Sequence, residues 1–269
     1  MAHEPSPRAR AEHGRPGSSY PAGPEEGRNR PLSGRTRRDL VRRGLLPVLL
    51  LWVGIVGLGL LVVGPLDSLP GEVVLNEELQ ERRTPVLDDL TAVWSHIGGT
   101  QFIIGACVLA VAVLWWRTRQ WRRAFVPAIA ISIQSSVFVT AAAVVGRERP
   151  DVEQLDEAPP TSGFPSGHVG ASTAFYLTLA LLASRIRNAA LRWTAMAVVL
   201  AVPLLVAFSR LYRGMHHLSD VVVGVLNGVV CALLAWRYLH AREAEDESPD
   251  TPATSAGPAL SAGPGSTAA

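Results

Sequence analysis

Apolar residues fall along this chain in long blocks rather than in alternation. The blocks run roughly from Leu45 to Val63, Ile97 to Trp116, Phe125 to Val145, Gly167 to Ala183, Trp193 to Phe208 and Leu218 to Tyr238. Blocks of this kind suit single helical crossings of a bilayer, which need about 20 predominantly apolar residues. Residues 67–92 differ. They are polar and mildly acidic, with apolar positions at Leu75, Leu79, Val86, Leu87, Leu90 and Val93 interrupted by Pro85. That spacing predicts short amphipathic helices lying at the interface. The expected fold class is therefore all-α: an integral membrane helical bundle of six transmembrane helices, with short interfacial helices after the first. The first apolar block is too long, and starts too far along the chain, for a cleaved signal peptide.

Polar ends flank the blocks. Residues 1–38 and 241–269 are rich in Pro, Gly, Ser, Ala and charged residues. They lack the aliphatic surface that ordering requires, so they are expected as disordered cytoplasmic tails around a membrane domain of residues 39–240. His3 and His13 fall in the first tail as spectators. The net charge of +2, over a chain that is 48% hydrophobic, gives no basis for a nucleic-acid partner. The bilayer itself is the expected surrounding.

Arginine supplies all the basic charge, since the sequence has no lysine, and its distribution sets the orientation. Arg35, Arg37, Arg38, Arg42 and Arg43 precede the first block. Arg117, Arg119, Arg122 and Arg123 lie between the second and third, Arg185, Arg187 and Arg192 between the fourth and fifth, and Arg237 and Arg242 at the end of the last. The opposite side holds only Arg82, Arg83, Arg147, Arg149, Arg210 and Arg213. By the positive-inside rule both termini are expected in the cytoplasm. Trp94, Trp115, Trp116, Trp121, Trp193 and Trp236 fall at or near block ends, where an amphipathic ring suits the interface. Cys107 and Cys231 lie within apolar blocks and read as packing residues.

Candidate chemistry collects on the arginine-poor side. Ser209 to Asp220 places Arg210, Arg213, His216, His217 and Asp220 between two apolar blocks. Charge kept beside a bilayer marks a functional site. In a helix beginning at residue 216, Asp220 would stand four residues from His216 and three from His217, so spacing alone leaves open which imidazole it orients. Arg210 and Arg213 present planar forks suited to an oxyanion. Upstream lie Pro165-Ser166-Gly167-His168, where small residues at a helix start let backbone N–H groups approach an anion, and Gly146-Arg147-Glu148-Arg149-Pro150. Arg147 and Arg213 are candidate phosphate contacts or headgroup anchors. Asp151, Glu153, Asp156 and Glu157 read as a solvated acidic loop.

These three clusters resemble the signature motifs of the type 2 phosphatidic acid phosphatase superfamily: Lys, six residues, Arg-Pro; then Pro-Ser-Gly-His; then Ser-Arg, five residues, His, three residues, Asp. The second motif is complete at Pro165–His168 and the third at Ser209, Arg210, His216 and Asp220. The first keeps Arg149 and Pro150, but Ala142 stands where the family has Lys, and Arg147 is a candidate to reach the same space. The resemblance spans roughly residues 75–238. It implies that His216 attacks phosphorus to form a phosphohistidine, that Asp220 orients it, and that His168 protonates the leaving oxygen. It also implies that Arg149, Ser166, Gly167 and Arg210 hold the phosphoryl oxygens, without a metal or other cofactor. The implied substrate is a membrane lipid phosphate or pyrophosphate, with polyprenyl pyrophosphate, phosphatidic acid and phosphatidylglycerol phosphate as candidates. Two other readings stand beside it. Ala142 fits a protein that binds or transports a phosphorylated lipid without hydrolysing it. Vanadate-dependent haloperoxidases resemble the family at the site, but those enzymes are soluble and six apolar blocks argue against one here.

Overall fold

A computed structural model describes residues 41–66 and 69–247. Both expected tails fall largely outside them, together with His3, His13, Arg35, Arg37 and Arg38. Among the described residues the secondary structure is helical: α1 Leu46–Val63, α2 Pro70–Glu81, α3 Pro85–Ile97, α4 Thr100–Thr118, the single turn α5 Trp121–Ala124, α6 Val126–Val145, α7 Gly167–Ala183, α8 Ala189–Tyr212 and α9 Leu218–Glu247. A short π-helical stretch, Val41–Leu45, leads into α1. Five helices, α1, α4, α6, α8 and α9, are long and apolar enough to cross a membrane, and α7 is a shorter apolar helix. The protein is a multi-pass membrane helical bundle. Its last helix runs on to Glu247, so the stretch expected as tail from residue 241 begins as helix.

Helix α7 lies at the centre, packed against α6, α8 and α9. Its crossing with α9 is close because both helices carry glycine there. A Cβ on Gly228 would stand 2.6 Å from the Gly170 carbonyl oxygen and 2.6 Å from Thr173 Cβ, and one on Gly224 would stand 2.7 Å from the Ser166 carbonyl oxygen. Apolar side chains gain nothing by leaving lipid for one another, so membrane helices associate through such backbone approach. Phe164, just before α7, is fully buried among Ile55, Val56, Val137, Val145 and Val223, and fixes the loop that enters the helix.

The region expected as interfacial helices forms α2 and α3. Thr84 caps α3 by accepting the Leu87 N–H, and Pro85 opens the helix. Its polar face buries Thr91 and Ser95, and α3 packs on α8. The motif clusters lie at this end of the bundle. The other end carries five of the seven tryptophans, each with an arginine over its ring: Trp115 with Arg119, Trp116 with Arg117, Trp121 with Arg122, Trp193 with Arg192 and Trp236 with Arg185.

Replacing Gly228 with valine is expected to cost about 1–3 kcal/mol through overpacking of the α7–α9 crossing. Thermal melts in detergent, with Gly105→Val as control, check this, because a Cβ at Gly105 meets nothing within 4 Å.

Candidate active site

Three backbone hydrogen bonds join the motif clusters. Gly163 N–H donates to the Arg147 carbonyl at 2.8 Å, Ser166 N–H to the Asp220 carbonyl at 2.9 Å, and Leu155 N–H to the Arg213 carbonyl at 3.1 Å. Local chain geometry makes the joins possible. Helix α6 ends at Gly146 in the left-handed region, with φ 66°, its N–H closing on the Ala142 carbonyl. That termination turns Arg147 and Arg149 back over the bundle. Gly214 also has positive φ, 68°, and a Cβ there would meet the Glu153 carbonyl at 2.8 Å. The chain leaves α8 by this turn.

His216 lies before α9 rather than within it. Its Nδ1 stands 2.7 Å from the Gly163 carbonyl. A carbonyl only accepts, so Nδ1 carries the proton and Nε2 keeps its lone pair. Asp220 does not make the bond to His216 that the family resemblance implies, and its nearer oxygen is 3.9 Å from that Nδ1. The helix starts at Leu218, so Asp220 occupies its third position and reaches back to cap the His217 N–H at 2.8 Å, one half of a capping box. The other carboxylate oxygen takes Arg147 Nη1 at 2.5 Å. His217 Nδ1 lies 3.4 Å from Asp220, with no hydrogen-bond partner. Burial first, then the charges of Arg210, Arg149 and His168, push the His216 pKa well below its ordinary 6.5, while the Gly163 bond opposes them. His216 is thus held neutral.

Ser166 and Gly167 stand at the start of α7. Ser166 is the N-cap residue, yet its hydroxyl caps nothing; it is buried and has no partner among the described residues. Gly167 is required sterically, since a Cβ would meet the Phe138 ring at 2.7 Å. His168 follows in the first turn. Arg149 donates through Nη1 to the Met215 carbonyl at 2.7 Å. Arg210 is 2% exposed and donates through Nη1 to Asp156 at 2.6 Å and to Ser95 Oγ at 2.7 Å, while its Nε is buried and unpartnered. The structure therefore gathers His168, His216, Arg149, Arg210, Ser166 and Gly167 at one end of the bundle. Among the described residues no group of three or more His, Cys, Asp and Glu side chains could hold a metal ion.

Arg147 and Arg213 are both taken up by protein partners. Arg147 is clamped by Asp220, by Ser219 Oγ at 2.7 Å and by Glu72 at 2.9 Å. Arg213 is spent on Asp156, the carbonyls of Asp88 and Leu155, and Thr91 Oγ1. Ala142 is buried in the last turn of α6. Asp156 is no solvated loop acid; it bridges Arg210 and Arg213 and accepts from Ser95 Oγ at 2.7 Å. Glu72 also accepts the Ser219 N–H. Sequence reading missed Glu72, Ser95, Asp156 and the Gly163 carbonyl. The buried face of α2 and α3 carried a signal for Glu72 and Ser95; the carbonyl carried none.

The fold and cluster together define a membrane helical bundle with histidines, arginines and buried donors gathered at one end. A sequence model of the PAP2 superfamily matches residues 123–244. Over 82 residues the chain is 40% identical to the lipid A 4'-phosphatase of Porphyromonas gingivalis, a match covering 30% of this chain and 31% of that relative. The fold is shared with the PAP2-type phosphatidylglycerolphosphate phosphatase of Bacillus subtilis, at TM-score 0.63 and 18% identity, over 76% of this chain and 96% of that one. It is also shared with LpxE of Aquifex aeolicus, at TM-score 0.52 and 20% identity, over 64% and 98%. Residues 123–244, which hold all three motif clusters, thus carry the PAP2 superfamily pattern.

Glu72 supplies a test of the cluster. Burial raises its pKa, but hydrogen bonds from Arg147 and Ser219 outweigh that and leave it below its ordinary 4.5. Such a carboxylate stabilises the fold above its unfolded pKa, and that contribution is lost as pH falls through the lower folded value. Asp156, likewise depressed below 3.8 by Ser95, Arg210 and Arg213 against burial, adds in the same direction. Melting temperature is expected to hold from about pH 7 to 5 and to fall below about pH 4. Glu72→Gln should melt lower at neutral pH and lose less on acidification.

Proposed function

We propose that this protein is an integral-membrane phosphatase that hydrolyses a lipid phosphate or lipid pyrophosphate through a phosphohistidine, without a metal. The observation that carries the reading is the His216 imidazole, neutral, with its proton committed to Gly163 and Nε2 available, in a cluster where Ser166 Oγ and Arg210 Nε are buried donors without a partner among the described residues. Nε2 attacks phosphorus while the bond from phosphorus to the leaving oxygen breaks, and His168 gives that oxygen its proton. Water then attacks the phosphohistidine, His168 takes the water's proton, the phosphorus–Nε2 bond breaks, and inorganic phosphate leaves. A bound phosphate places negative charge beside His168 and favours its protonated form. Arg149, Arg210, Ser166 Oγ and the Gly167 N–H hold the equatorial oxygens, where charge develops. Asp220 acts on this site through the loop positions, by fixing His217, Arg147 and the start of α7, and not by a bond to His216.

The membrane setting and the relatives support a lipid substrate, with polyprenyl pyrophosphate, phosphatidic acid and phosphatidylglycerol phosphate as candidates. A cavity of about 470 Å³ reaches Arg149 and His217 between Val63 at the end of α1 and Val73 and Asn76 on α2, giving a headgroup room beside the site. The arginine–tryptophan pairs at the far end support cytoplasmic termini and an extracytoplasmic site. Ala142 favours one second reading, a protein that grips a phosphorylated lipid without turning it over.

Phosphate release by the purified full chain in detergent with EDTA, across those three lipids, separates the two. Turnover of at least one lipid is expected, with His216→Ala lowering kcat to background and an alkali-stable, acid-labile phosphate label forming on wild type alone. Lipid binding without release from any of them would establish the binding protein instead.

A further inference from the structure

We infer that Asp156 is a positioning residue for phosphoryl transfer: with Ser95 it grips one nitrogen of Arg210 and so aims the remaining edge of that guanidinium at the phosphoryl group. The inference rests on the phosphatase reading above. Among the described residues both hydrogen bonds of Arg210 fall on Nη1, to Asp156 Oδ2 and Ser95 Oγ, and Nε is left buried and unpaired. Ser95 Oγ also donates to the same Asp156 oxygen, closing a three-member ring of contacts. A guanidinium held at one corner has its direction set, and its free edge suits two oxygens of a phosphate.

Asp156 can do this because its own segment is fixed. Arg213 donates to its Oδ1 through Nε at 2.8 Å and to the Leu155 carbonyl through Nη2 at 2.8 Å, while Leu155 N–H returns a bond to the Arg213 carbonyl. Arg83 Nη2 donates to the Glu153 carbonyl at 2.7 Å and to the Tyr212 carbonyl at 3.2 Å, tying the same loop to the end of α8. The adjacent acid, Glu157, is exposed and takes no part in this network. Charge accounting points the same way. One carboxylate serves two guanidinium groups, so a unit of positive charge stays unbalanced in a buried place, and a phosphoryl group is the natural partner for it. Removing Asp156 leaves Arg210 charged but undirected, and misplacing a reacting contact by about 1 Å costs roughly 100-fold in rate.

The test compares wild type with Asp156→Asn, Asp156→Ala, Ser95→Ala and the neighbouring control Glu157→Gln, as full chains in detergent. Three quantities are read: kcat and KM on a lipid the wild type hydrolyses, the Kd for orthovanadate by calorimetry, and the melting temperature. Expected are a fall in kcat of about 100-fold for Asp156→Asn with KM little changed, a weaker vanadate Kd, and a wild-type profile for Glu157→Gln. Ser95→Ala, which removes only the neutral partner, should fall in the same direction by about tenfold. It carries the test if the Asp156 variants do not fold. Wild-type turnover with kcat and vanadate Kd unchanged in the Asp156 and Ser95 variants would overturn the inference and leave the phosphatase reading intact. A wild type that binds vanadate without turnover would overturn the phosphatase reading and, with it, a role for Asp156 in phosphoryl transfer. No vanadate binding by the wild type would overturn both.

Discussion

The carboxylate of Asp220 is the point on which the site depends. It is fully buried, and its two oxygens run to Arg147 after α6 and to the His217 N–H at the start of α9, while the backbone carbonyl of the same residue takes the Ser166 N–H at the start of α7. A buried charge survives only when paired and hydrogen-bonded on every side. The need to satisfy the carboxylate sets where α6 and α9 meet, and the backbone of the same residue adds α7. Glu72 then balances the other end of Arg147, which brings the interfacial helix α2 into the same network. The candidate site is organised around an ion pair that includes neither His216 nor Arg210.

A second network repeats the design on the other flank. Asp156 sits between Arg210 and Arg213, with Ser95 and Thr91 of α3 as neutral partners. Each flank thus combines a carboxylate, arginine and one of the two interfacial helices. The short helices after α1 are more than a connection. They supply hydrogen-bond partners that apolar spans lack, and they allow arginine to be kept charged next to a bilayer.

How much of this the sequence revealed depends on the kind of signal. Apolar helices follow from uninterrupted apolar runs, a one-dimensional property: five of the six blocks form helices long enough to span, and the sixth forms the shorter α7. Histidines and arginines that carry chemistry stood out because charge is rare at the ends of such runs. Pairing was harder. The family resemblance pairs Asp220 with His216, where counting residues in a helix that starts at 216 leaves His217 equally open. The helix starts two residues later, and the orienting group is a backbone carbonyl, which no residue type betrays. Asp156 and Glu157 are adjacent acids with identical sequence credentials, and only the fold of residues 153–156 against 212–214 separates a buried bridge from an exposed side chain. Arg147 showed the converse, an arginine close in sequence to the phosphate motif but claimed by carboxylates that come from elsewhere.

Helix α1 passes Phe164 at Gly59, where a Cβ would stand 2.6 Å from the ring, and then continues for another turn to Val63. The start of α7 is therefore sunk below the end of its neighbour. On the lipid-phosphatase proposal, a phosphate at that depth comes on a molecule whose tail already lies among the acyl chains, so encounters are confined to two dimensions. The quantity that governs how often the site is filled is then the share of membrane area a substrate occupies, and not its amount per volume of solution.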